Sequence, residues 1–185
     1  MKKIVIVLVM LGVIIALYVQ HGIAGPMLDR YIERLNNATS EEKRFYALGS
    51  AAKVYFNNGN KEEAKKLAEE LKSLLEKYRG NPEYGSAIQD VNIVLGRIAI
   101  SEGRTDEARE CLIKAAEGPA TSVMKTFGPN MSLAKDLLEK GERDVVLQYF
   151  ELCRKFWKLH PETLDEWTQQ VKNGEIPDFG ANLIY

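Results

Sequence analysis

The chain has 185 residues, 45% of them hydrophobic, and its 25 basic side chains nearly cancel its 26 acidic ones. That length holds one domain with a sizeable core, and the hydrophobic share argues against wholesale disorder. The charge balance argues against a general nucleic-acid binder, which carries a basic excess.

The first segment stands apart. Lys2 and Lys3 precede an apolar run from Ile4 to Val19, and no acid or base stands between Ile4 and Leu28. A helix from Ile4 to about Ile23, rising about 1.5 Å per residue, would cross a hydrocarbon core of about 30 Å. Residues 1–25 therefore read as a transmembrane anchor. A secretory signal cleaved at Gly22-Ile23-Ala24 and a buried core helix are the other readings. With an anchor, the two lysines stay cytoplasmic and everything after residue 28 faces the periplasm or the exterior. With a signal, the domain is secreted. Gly12 and Ala16, four residues apart, would suit a helix–helix contact in the bilayer.

Residues 26–39 read as a linker helix from about Pro26 to Leu35, ended by Asn36-Asn37. Thr39 and Glu42 then form a capping-box pattern. The next stretch, LGSAAKVYFNNGNKEEAKKLAEEL, reads as helix, glycine turn, helix around Gly59. Asn81-Pro82 reads as an N-cap and first helical residue. A second helix pair follows around Gly103, with Thr105 as N-cap and Asp106 and Glu107 favourable to the helix dipole. The stretch EGPATSVMKTFGPNM, holding two Gly-Pro breaks, reads as a loop or a short helix. A third pair turns at Gly141. Pro161 begins a last helix whose Leu164, Trp167 and Val171 share one face.

The three pairs superimpose. Moving by 44 residues sets Gly59 on Gly103, Ala52 on Gly96 and Ala64 on Ala108. Moving by 38 sets Gly103 on Gly141, Gly96 on Ala134, Ala108 on Val146 and Leu112 on Phe150. This unit resembles the tetratricopeptide repeat (TPR), a helix pair with small residues at the crossing. The middle unit carries the resemblance best, with Leu95-Gly96, Gly103, Ala108, Leu112, Ala115 and the nearby Pro119. The expected fold is all-α: a TPR-like α-α superhelix of about three helix pairs over residues 40–174, closed by a capping helix and preceded by the membrane helix.

Catalytic chemistry finds little support. His21 and His160 are the only histidines, and GxSxG, HExxH, GxxxxGKS and GxGxxG are absent. One histidine beyond the apolar segment is poor material for a nucleophile–base pair. His160 reads as a surface or C-cap residue. Cys111 and Cys153 lie in helical apolar patterns and read as buried free thiols, with a single bridge between them as the alternative in an oxidising compartment. Asn37 and Asn130 begin glycosylation sequons, which matter only in a eukaryotic secretory pathway. The sign-alternating charges read as solvated helix faces. The tail 175–185 carries Phe179, Leu183, Ile184 and Tyr185; it reads either as packed on its own repeats or as a peptide that inserts into a partner.

The expectation is a non-enzymatic, membrane-tethered interaction module with no cofactor, no metal and no nucleic-acid partner, binding a protein or peptide. In such repeats the first helix of each pair supplies the concave face, so the resemblance points to Tyr46, Lys53, Asn57, Asn92, Arg97 and Lys135 as contact residues. The alternative is an assembly subunit of a membrane or envelope complex that works through its membrane helix.

Overall fold

The computed structural model describes residues 30–184. The anchor segment 1–25 and its Gly12–Ala16 contact lie outside the described residues, as does Tyr185. Within them the chain forms helices and no strand. A helical segment over 30–36 (α1) leads to α2 (Glu41–Asn57), α3 (Lys61–Leu74), α4 (Tyr84–Ser101), α5 (Thr105–Lys114), α6 (Ser122–Phe127), α7 (Ser132–Glu139), α8 (Arg143–Cys153) and α9 (Pro161–Lys172). No described helix is long and apolar enough to cross a membrane.

Three helix pairs, α2–α3, α4–α5 and α7–α8, share one turn. Gly59, Gly103 and Gly141 have φ of 81°, 78° and 84°, the left-handed region that glycine enters without a Cβ penalty. Each pair closes with the same two hydrogen bonds. The glycine N–H donates three residues back, and the next N–H donates five residues back: Asn60 to Tyr55, Arg104 to Ala99, Glu142 to Leu137. This glycine C-cap satisfies carbonyls that a helix end leaves open. It recurs at Gly174 after α9, where φ is 87° and Glu175 N–H donates to Gln170. No second α-helix follows there, only a 3-10 turn over Gly180–Leu183. A strap of residues 175–184 turns back instead.

The caps refine the expected boundaries. Ser40, not Thr39, caps α2 and accepts from Lys43 N–H. Arg104 stands at the N-cap of α5, and Thr105 is its first residue. The α4 helix starts at Tyr84, because Asn81 Oδ1 accepts from Glu83 N–H and Asn81 O from Tyr84 N–H, which makes a tight turn first. His160 precedes α9 as N-cap and is not a C-cap. Asn130 is 1% exposed, so its sequon is closed in the folded protein.

Two apolar clusters build the core. One joins Phe45, Leu48, Leu67 and Leu71 to Val91, Val94 and Ile98 of α4. The other joins Ile93 and Ala99 of α4 to Leu112, Leu133, Leu137, Phe150 and the Trp157–Trp167 region. Thus α4 feeds both. Each fully buried leucine contributes about 2 kcal/mol of transfer energy. The small residues earn their place by proximity: a Cβ on Gly96 would collide with Leu133 and come within 2.9 Å of Cys111 Cβ. Cys111 and Cys153 are both buried and free, not bridged.

The strap packs on its own chain. Phe179 is 2% exposed, with its ring 4.9 Å from Trp167 and 6.3 Å from Phe150. Asn182 Nδ2 donates to Phe127 O and Pro129 O at 3.0 Å each, and Met131 N–H donates to Asn182 O at 2.7 Å. The buried loop 128–131 needs these partners, since no water reaches its backbone groups.

Candidate binding groove

The first helices of the first two units, α2 and α4, with α1 and α6, enclose a groove of about 680 Å³. Tyr31 and Arg34 of α1 and Tyr46, Ser50, Lys53 and Asn57 of α2 line one side. Ser86, Gln89 and Asp90 of α4 line the floor. Val123 and Met124 of α6 and Ile184 of the strap form the far side. The helical period explains the selection on α2: Tyr46, Ser50, Lys53 and Asn57 recur at three or four residues, while Leu48 and Ala52 turn into the core.

Most polar groups of the groove are engaged. Lys53 Nζ bonds Asp90 Oδ1 at 2.6 Å. Tyr46 OH accepts from Asn81 Nδ2 at 2.7 Å. Asn57 Oδ1 accepts from Arg97 Nη1 at 2.8 Å, and Asn58 Nδ2 donates to Val54 O at 2.7 Å. Ser86 shares a hydrogen bond with Thr121 at 2.9 Å, and Gln89 Oε1 accepts from Asn130 N–H at 3.3 Å. Behind the floor, Tyr149 OH donates to Asn130 O at 3.0 Å. Burial pushes the Tyr149 phenol well above its ordinary range and the Cys153 thiol beside it likewise. Burial thus disfavours the charged form of both groups.

Of the six residues singled out in the sequence, Tyr46, Lys53 and Asn57 line this groove together. Arg97 stands beside it: it bonds Asn57 and, at 2.7 Å, Asp136 of α7, and its guanidinium lies 4.5 Å from the Phe56 ring. Asn92 and Lys135 are not brought in. Asn92 Nδ2 donates to Ile88 O of its own helix, and Lys135 faces Glu139 at 3.9 Å. Sequence reasoning missed Arg34, Gln89, Asp90, Val123, Met124 and Ile184. Asp90 had a signal, being an acid on a first helix opposite a base. The α6 and strap residues had none, because only the folded chain brings them to the groove. Among the described residues no cluster of His, Cys, Asp or Glu could hold a metal.

The sequence profile of the tetratricopeptide repeat matches residues 90–117, which run from the middle of α4 through α5. That span holds Gly96, Gly103, Ala108, Leu112 and Ala115. No curated protein and no solved structure matches the chain.

Proposed function

We propose that this chain, a TPR-like helical-repeat protein, is a membrane-tethered interaction module that holds a protein or peptide in the groove built on α2 and α4. The repeat itself supports protein binding. The observation that carries the reading is the groove of about 680 Å³ between α1, α2, α4 and α6, which the described residues leave open. Tyr46, Lys53 and Asn57 are the contact residues. The groove presents shape and fixed polar groups and no nucleophile–base pair, so it holds a partner and does not transform it.

The tether rests on the sequence. Tyr31, in the groove wall, follows residue 25 by only six positions. Six residues span at most about 20 Å, so an anchor over 1–25 holds the groove close to the bilayer. The two lysines then stay cytoplasmic and the repeats face the periplasm or exterior.

A photo-reactive amino acid placed at Tyr46 or Val54 of the full chain tests the groove in cells. Adducts of one defined mass at these positions, absent when the same group stands at the exposed Lys114 of α5, are expected. Equal adducts at all three positions, or none at the groove, defeat the reading. Alkaline extraction tests the tether: the full chain stays with the membrane, and a chain begun at residue 26 is released.

A further inference from the structure

Among the described residues five large apolar side chains stay exposed, and three of them come together at one edge of the groove. Val123 and Phe127 are 43% and 53% exposed and lie four positions apart on α6, so they share a face. Met124, 2% exposed, turns inward and holds α6 to the protein. Ile184 is 63% exposed and lines the groove with Val123. Two residues before it, Asn182 donates to Phe127 O and Pro129 O, which fixes the end of the strap against the end of α6. Lys125 of α6 is exposed as well.

Folding leaves these side chains in water, and whatever covers them gains by the apolar area it removes. The edge is small. A stable protein interface takes about 20–30 residues a side, more than a six-residue helix and the end of a strap supply. A bilayer asks for less, because an anchor already holds it at hand and docking becomes an intramolecular step. Tyr31 and Arg34 of α1 line the same groove as Val123 and Ile184. Tyr31 follows residue 25 by six positions, a span of at most about 20 Å, so the leash is short enough to bring this side of the protein to the membrane. We infer that the α6–strap edge is a second membrane contact: Val123, Phe127 and Ile184 lie in the interfacial layer of the bilayer that residues 1–25 anchor, with the Lys125 ammonium at the level of the headgroups. Two points of contact fix the orientation of the groove, where a leash alone would let it turn.

The inference rests on the tether read from the sequence, and the test separates the two. The full chain is reconstituted in nanodiscs of mixed phosphatidylcholine and phosphatidylglycerol, with a photo-reactive amino acid at Val123, Phe127 or Ile184, or at the exposed Lys114 of α5 as control. After illumination, adducts carrying the mass of one lipid should form at the three edge positions about tenfold more than at Lys114. With the probe at Ile184, the pair Val123→Asp and Phe127→Asp should lower the lipid adduct at least fivefold. Both positions are exposed, so melting temperatures should stay within a few degrees of the parent. Lipid adducts at the edge no higher than at Lys114, in a chain that stays with the disc on gel filtration, overturn the contact and leave the tether standing. An adduct at Ile184 unmoved by the two aspartates reports nearness alone and also overturns it. Cross-links within the chain or to a second copy, in place of lipid, show that protein covers the edge and overturn it too. A chain that does not stay with the disc overturns the tether and this contact together.

Discussion

Arg97 of α4 and Asp136 of α7 are joined by an Nε–Oδ2 hydrogen bond of 2.7 Å, and the bond ties one repeat unit to the next. Lys53 of α2 stands at the equivalent place, six residues before its turn glycine, and reaches Asp90 of α4. Both pairs are mostly buried, with side-chain exposures between 16% and 21%. A charge held that far from water is costly without its partner, so each pair fixes how successive first helices sit against each other. Lys135 occupies the same place in the third unit and has Glu139 of its own helix instead.

Arg97→Ala should therefore destabilise the protein by about 2 kcal/mol, since it strands Asp136 and removes the contacts to Asn57 and Phe56. Urea unfolding measures this. A double-mutant cycle with Asp136→Ala should return a coupling of about 1 kcal/mol or more. Additive effects would mean that the pair does not hold the units together.

Two glycines should fail for different reasons. Gly96→Ala forces Leu133 and Cys111 apart and should cost about 1–3 kcal/mol by overpacking. Gly103→Ala has open space around its Cβ, yet φ is 78°, so the cost should be about 1 kcal/mol of backbone strain. Thermal melts of the two variants should rank Gly96→Ala as the worse; the reverse order would contradict the close approach of α4, α5 and α7.

Asn182→Ala leaves the carbonyls of Phe127 and Pro129 without their donor, a loss of about 2 kcal/mol. Hydrogen exchange should then show residues 127–131 and 175–184 losing protection together, while α2 and α3 keep theirs. Unchanged protection in the loop would show that the strap is not what pins it.

The thiols should be silent in the native state. Burial raises the Cys111 and Cys153 thiols above their ordinary range. Even at about pH 8.5, where a free cysteine is half thiolate, neither should react with a thiol reagent until the chain is denatured. Two equivalents should then react without prior reduction. Fast native labelling of Cys111 would place it on the surface.

The glycine turns were legible because they are local: a positive φ between two helical patterns needs glycine, and Gly59, Gly103 and Gly141 announce it. The first helices were legible from their apolar period. Cap positions were not resolved to the residue, since Thr39 and Ser40 offer the same hydroxyl and only the folded backbone chooses Ser40. Lys53 and Arg97 were read as face residues, and the structure adds that their charges are paired across units. Ile184 could not be placed from sequence at all. Its position follows from Phe179 packing on Trp167 and from Asn182 bonding a loop more than fifty residues earlier.

The division of α4 between two cores has a mechanical consequence. Its Val91, Val94 and Ile98 belong to the cluster built with α2 and α3, and its Ile93 and Ala99 to the cluster built with α5, α7 and α8. Tension entering at residue 30 loads the first cluster before the second. The Lys53–Asp90 pair lies across that seam and the Arg97–Asp136 pair beyond it. A pull from that end would peel α2 and α3 from α4 while the later units stayed folded, making the first repeat a yield point between the N-terminal end and the rest of the stack.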